Sequence, residues 1–309
     1  MKFVAQCNSR SNHNENQDVR KSKYLILSEF YFYFNDDLTE ITNVKELFEN
    51  QNILDLERFN DLKIIKFNVF SENQIKHLRL PKNIEIIGDW AFANNKIEIL
   101  DLSYCINLKN IEEYAFKENQ IKHLKLPDNI EEIKLSTFMI NQIETLNLSN
   151  CIKLKNTGDT AFYKNQIKRL KLHTNIELID CNTFLKNQIE ILDISNCTKL
   201  KNIRNSAFCK NQIKHLKLPK NIEKIEWCAF MNNQIQILDL SNCIKLKNIE
   251  KHAFEENPLN EIKILGDIEL KYDLDDHNIW NRFVKYYNKN NKKSGDYKLE
   301  NNKWQWYPL

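Results

Sequence analysis

The sequence predicts an α/β repeat solenoid, and three observations carry that prediction. First, a cysteine recurs at Cys105, Cys151, Cys197 and Cys243, each 46 residues from the last, inside near-copies of one phrase: LDLSYCINLKNI, LNLSNCIKLKNT, LDISNCTKLKNI and LDLSNCIKLKNI. Second, the loop asparagines Asn73, Asn95, Asn119, Asn141, Asn165, Asn187, Asn211 and Asn233 follow one another at alternating spacings of 22 and 24 residues. Each period therefore splits into a shorter and a longer half. Third, nearly every half carries an L-x-L core, whose residues point alternately in and out as a strand requires, and parallel stacking of such strands makes a continuous buried sheet.

The shorter half reads NQIKHLRLPKNIEIIGDWAFAN, with Ile75, Leu78, Leu80, Ile84 and Ile87 as its apolar frame. The longer half uses Ile97, Leu100, Leu102, Cys105, Leu108 and Ile111, with two more residues between strand and return turn. Both halves resemble leucine-rich repeats, whose pattern L-x-x-L-x-L-x-x-N/C-x-L supplies one strand of a horseshoe per unit. The Ala-Phe pair that closes most halves is similar to the bacterial-surface-antigen (BspA-like) subclass. Phe92, Phe116, Phe138, Phe162, Phe184, Phe208, Phe230 and Phe254 form that series, with Phe70 an earlier member. Departures are few: Thr137 and Thr183 replace the Ala, His173 replaces the proline of Pro81, Pro127 and Pro219, and Thr157 replaces an inward Ile. The resemblance implies a leucine-rich repeat horseshoe, with a parallel β-sheet on the concave face, short helical or 3-10 turns on the convex face, and terminal caps.

Clear copies run from Asn73 to Glu256. NILDLERFNDLKIIKFNVF matches a degenerate longer half, since Leu54 and Leu56 sit 46 residues before Leu100 and Leu102. Residues 49–256 are therefore assigned to the repeats. One half buries about seven apolar side chains at roughly 1.5–3 kcal/mol each and fixes some two dozen backbones at about 1–2 kcal/mol apiece. No unit stands alone, so stacking must supply the stability, with the Phe series as a second spine and atypical units sealing the ends. The N-terminal cap is placed at 21–48, where KYLILSEFYFYF is a strand-like apolar run, behind a polar, aperiodic and disordered arm at 1–20. The C-terminal cap, 257–309, holds a last strand, a helix and a hairpin. Asp275 or Asp276 is expected to cap the helix, whose apolar face is Ile279, Trp280, Phe283, Val284 and Tyr287. YKLENNKWQW alternates around Asn301-Asn302 as a hairpin does. With only 4 Gly in the chain, Asn is expected at the left-handed turn positions.

Several function classes are disfavoured. Cysteines in alternate strands lie roughly 9–10 Å apart, beyond the Cα limit of about 7 Å for a disulfide, and read as small buried groups at the turn. His77, His123 and His215 are separated in the same way, so a shared metal is not expected. H-E-x-x-H, G-x-G-x-x-G, a phosphate loop and a nucleophile elbow are all missing from the sequence, so neither enzyme activity nor a cofactor is expected. A formal charge of +3, spread in alternation, lacks the single-sign patch that nucleic acid requires. No stretch approaches the roughly 18 apolar residues of a membrane span, and the N-terminus lacks a leader-like apolar core. The chain is accordingly read as soluble and intracellular, with reduced thiols. Its heavy use of Lys, Asn and Ile is that of an AT-rich coding genome, such as a large DNA virus or a protist; a viral source would place it in a virion or the host cytoplasm.

The charges are more informative. One outward row runs Lys76, Glu98, Lys122, Glu144, Lys168, Glu190, Lys214, Gln236, and a second runs Arg79, Asp101, Lys125, Asn147, Lys171, Asp193, Lys217, Asp239. A third, just past the strand, runs Glu85, Lys109, Glu131, Lys155, Glu177, Lys201, Glu223, Lys247. Opposite charges on adjacent strands control register, because a one-unit slip sets like against like. Between the first two rows lie His77, Ile99, His123, Thr145, Arg169, Ile191, His215 and Ile237. Apolar groups within a charged rim mark interfaces, so these residues are the candidate partner-binding set. The function expected is that of a non-enzymatic scaffold binding a protein, such as a host or cellular one, through its concave sheet. The alternative is a structural or adhesive protein that assembles into a particle or surface layer.

Overall fold

The computed structural model describes residues 23–27, 30–34, 39–46, 52–273 and 277–309; the expected disordered arm at 1–20 and both Asp275 and Asp276 lie outside them. Each coil opens with a strand triplet whose middle residue points inward. Ile99–Asp101 is typical, with Leu100 buried between two outward side chains. The triplets pair in parallel and in chain order. Six strands run from Ile53–Asp55 to Arg169–Lys171, two more are Ile191–Asp193 and His215–Lys217, and a last two are Ile237–Asp239 and Glu261–Ile264. The expected sheet is present, with its ladder interrupted after Lys171 and after Lys217.

The opposite side differs from expectation. Among the described residues the repeats contain no helix. Their return is a second parallel ladder of two-residue strands, Ile64–Ile65, Ile86–Ile87, Asn110–Ile111 and Glu132–Ile133, resumed from Leu178–Ile179 to Glu269–Leu270. The second run is extended by the single bridge Asn156↔Leu178, and the ladder breaks between Asn156 and Glu132–Ile133, where Thr157 and Gly158 replace the usual pattern. The Phe rings stack at 5.2–5.7 Å.

Two polar and aromatic spines run through the core. From Phe70 to Phe254 the phenyl rings are fully buried in one stack, which Trp280 of the C-terminal helix continues at 5.2 Å from Phe254. Beside it runs an asparagine ladder. Asn165 Oδ1 accepts from the Ile143 N–H at 3.1 Å, while its Nδ2 donates to the Phe138 carbonyl at 3.0 Å and the Phe162 carbonyl at 3.2 Å; Asn95, Asn119, Asn141, Asn187, Asn211, Asn233 and Asn257 repeat the arrangement. These asparagines thus do not occupy the left-handed positions of the repeats. The residue before each does, for example Asn94, Glu118, Ile140 and Lys164, together with one earlier in the turn, such as Trp90 or Tyr114. Such residues cost about 1–2 kcal/mol each in that conformation. Bonds to the next coil hold them there: Trp90 N–H to Glu113 O, Phe92 N–H to Ala115 O, Asn94 N–H to Lys117 O.

The ends are closed by antiparallel strands. Lys23–Leu27, Phe30–Phe34 and Glu40–Glu46 extend the return ladder. At the other end Gly295–Glu300 and Lys303–Tyr307 add to Glu261–Ile264, and the hairpin turn has Asn301 and Asn302 both left-handed. The helix Ile279–Lys289 buries Trp280, Phe283, Val284 and Tyr287, and its cap is Asn278, which accepts from the Asn281 N–H at 2.7 Å. A cap further back at Asp275 or Asp276 is replaced because the helix starts at Ile279.

Candidate functional site

The strand triplets put every residue of the candidate set outward. His77, Ile99, His123, Thr145, Arg169, Ile191, His215 and Ile237 are all exposed. Ile99 at 57%, Ile191 at 62% and Ile237 at 53% are among the most exposed large apolar side chains of the described residues, and Ile53, in the same row, joins them at 59%. The register makes a true row: His77 pairs with Ile53 and Ile99, Ile99 with His123, His123 with Thr145, Thr145 with Arg169, and Ile191 with His215. The interruptions fall between Arg169 and Ile191 and between His215 and Ile237. Each histidine is separated from the next by another strand, so the imidazoles do not converge.

The flanking rows are ion-paired in the expected register. In the first, Lys76 meets Glu98 at 3.1 Å and Lys214 meets Glu190 at 3.4 Å. In the second, Arg79 meets Asp55 at 3.7 Å, Lys125 meets Asp101 at 2.8 Å and Lys217 meets Asp193 at 3.6 Å. The third pairs Lys109 with Glu131, Lys155 with Glu177 and Lys201 with Glu223. The Lys76 ammonium holds the Glu98 carboxyl below its ordinary range. For Asp193 the hydrogen bond from Ser195 does most of this. At Asp101 partial burial pushes upward, and the bonds from Lys125 and Ser103 outweigh it. Glu98, Asp101 and Asp193 are thus kept ionised.

The cysteine series is buried beneath the edge of this face. Cys105 and Cys151 approach the Pro81 and Pro127 carbonyls at 3.8 Å, and Cys197 approaches the His173 carbonyl at 3.5 Å. Burial pushes the thiols up, to about 12 for Cys105 and Cys243 and about 11 for Cys151 and Cys197. They are free thiols filling the turn.

Two features escaped the sequence reading. Ile106, Ile152 and Ile244, each following a ladder cysteine, form a second exposed column along the loop edge; the 46-residue period that located the cysteines carries that signal too. A surface cavity of about 660 Å³ opens where the return ladder breaks, lined by groups such as Lys134, Lys155, Glu177 and Asp180. Asp180 is buried there, accepting from the Gly158 N–H at 3.0 Å, with the Arg204 guanidinium at 3.4 Å. Gly158 is required: its φ is +78°, and a Cβ would lie 2.4 Å from the Ile133 carbonyl oxygen.

No helix among the described residues is long and apolar enough to cross a membrane. The family described as BspA type leucine rich repeat region matches residues 39–157 and 155–272, with six copies. No curated protein matches the sequence. Similar solved structures include a leucine-rich repeat protein of Leptospira interrogans at 18% identity, covering 65% of this chain and 50% of that one with a TM-score of 0.41. The functional domain of InlJ from Listeria monocytogenes, which includes a cysteine ladder, is 13% identical, covering 78% and 60% with a TM-score of 0.43. A leucine-rich cell surface protein of Faecalibacterium prausnitzii is 15% identical, covering 89% and 98% with a TM-score of 0.40. The chain thus spans half the length of the first of these and 60% of the second.

Proposed function

From the premise that the chain belongs to the BspA-type leucine-rich repeat family, we propose that it is a non-enzymatic scaffold that binds protein through the outward face of its main sheet. Families of this type are typically surface or adhesion proteins that mediate protein interactions, and a solenoid selects its ligand with exposed side chains. One observation carries the reading: Ile53, Ile99, Ile191 and Ile237 stand exposed in a single row, and the charges flanking Ile99 and Ile191 are ion-paired within the face. Desolvating the row at Ile99 and Ile191 costs little, because Glu98, Asp101, Glu190 and Asp193 already have partners. The row also offers a binding partner apolar area at the centre and polar groups at the rim. His77, His123, Arg169 and His215 lie beside the isoleucines and supply hydrogen-bond capacity.

The test compares wild type with an Ile99→Glu, Ile191→Glu, Ile237→Glu variant in retention of proteins from a cell lysate, after circular dichroism shows both folded. A protein retained by wild type and lost from the variant supports this face as the site. Equal retention by the folded variant sinks it.

A further inference from the structure

The outward face is banded coil by coil. A shorter coil presents cation, imidazole, cation, as in Lys76, His77 and Arg79; the longer coil after it presents anion, isoleucine, anion, as in Glu98, Ile99 and Asp101. The bands cross the solenoid axis with a period of two strands, about 9–10 Å. Pairs within the face, such as Lys125 with Asp101, leave both side chains partly open to solvent, so each group can meet a second opposite charge from above.

A face banded in this way complements itself. Let a second copy be turned by 180° about an axis that lies along the strand direction, between the two faces. Each row then faces its own counterpart while the order of coils is reversed. The repeat coils contribute ten strands to the face, Ile53–Asp55 to Glu261–Ile264, beyond which Gly295–Glu300 and Lys303–Tyr307 are added; overlap of the ten repeat strands puts the axis between Thr145–Asn147 and Arg169–Lys171. Every cationic coil is then opposite an anionic one. In the first row Glu98 faces Lys214 of the second copy and Lys122 faces Glu190. In the second row Asp101 faces Lys217 and Lys125 faces Asp193. Along the centre Ile99 meets His215 and Ile191 meets His123. A parallel arrangement, or a shift by one strand, sets like against like along the whole face, at a cost that rejects the wrong register.

We infer that the occupant of this face is a second copy of the chain, docked antiparallel in that register. The inference rests on reading the outward face as the interaction surface, and it names the partner. Ten strands by the width of a triplet give about 480 Å² per copy, below the range of stable specific interfaces, which fits a weak, reversible dimer.

Sedimentation velocity of the purified chain tests this, at concentrations up to about 100 µM. Wild type should dimerise at about 0.05 M NaCl and bind at least about tenfold more weakly at about 0.5 M, because the facing charges are screened. Glu98→Lys or Lys214→Glu alone should each lower dimer affinity by more than about tenfold, since the two-fold axis repeats every substitution. The double variant should recover most of it, with circular dichroism confirming that all three fold. A wild type that stays monomeric at low salt, or a dimer indifferent to both single reversals, overturns the inference. A monomer that still retains a lysate protein through Ile99, Ile191 and Ile237 overturns self-docking while leaving the protein-interaction reading intact.

Discussion

Asn119 donates its side-chain amide to the carbonyl of Phe92 in the preceding coil, 2.9 Å away, while its Oδ1 accepts from the Ile97 N–H at 3.1 Å. One buried side chain thus satisfies backbone groups on both sides of a coil boundary, where the turn leaves them without ladder partners. Asn119→Ala would strand a donor and an acceptor away from water, each costing about 1–3 kcal/mol, and should lower stability by about 2–4 kcal/mol in urea denaturation. Asn119→Asp keeps the acceptor but aims a carboxylate at the Phe92 and Phe116 carbonyls. It should be as harmful at neutral pH and partly recover near pH 4, where the acid form can donate.

Phe162 stacks between Phe138 at 5.5 Å and Phe184 at 5.7 Å and is fully buried. Phe162→Ala should cost about 3–5 kcal/mol. Ile191→Glu, two coils away on the outward face, should change stability by less than about 0.5 kcal/mol. Thermal melts of the two variants side by side separate the core from the candidate site.

Much of this was legible because repetition multiplies weak signals. The L-x-L triplets, the Phe stack and the charge rows recur often enough to set strand positions, register and which side faces out. The return ladder was less legible: Ile86–Ile87 or Asn110–Ile111 is a two-residue strand, too short to carry a period. The expectation of left-handed asparagines holds in part: Asn68, Asn94, Asn182 and Asn232 take that conformation, whereas the ladder asparagines turn inward and Glu118 or Lys164 takes it beside them. The break at Gly158 was foreshadowed by Thr157 in an inward position. Its partner Asp180 was not, since a lone aspartate has no sequence signature for burial.

The ladder thiols give a chemical test of burial. With Cys105, Cys151, Cys197 and Cys243 pushed up to about 11 or 12, the thiolate fraction at pH 8 is about one in a thousand or less. In a Cys7→Ser variant, which removes a thiol outside the described residues, a disulfide reagent should label the half-buried Cys181 first. The ladder cysteines should react only when the chain is unfolded. Rapid labelling of all of them in the native state would contradict the packing.

Asp180 makes stability depend on pH in an unusual direction. Burial raises its carboxyl above the ordinary range; the Gly158 N–H opposes that, Asp159 adds to it and Arg204 opposes it. A folded-state pKa above the unfolded value means the protonated form favours the fold. The stabilisation from Asp180 is therefore complete below the unfolded pKa of about 3.9 and is lost as pH rises through the folded one. Glu98 and Asp193, with depressed values, act in the opposite sense, their stabilisation being lost as pH falls. They are common to wild type and an Asp180→Asn variant, so they cancel in the difference. The variant should accordingly fare better against wild type at pH 7 than at pH 4, as measured by urea midpoints. A difference that stays constant, or grows in the variant's favour on acidification, would show that the Asp180 carboxyl is not raised by its burial beside the ladder break.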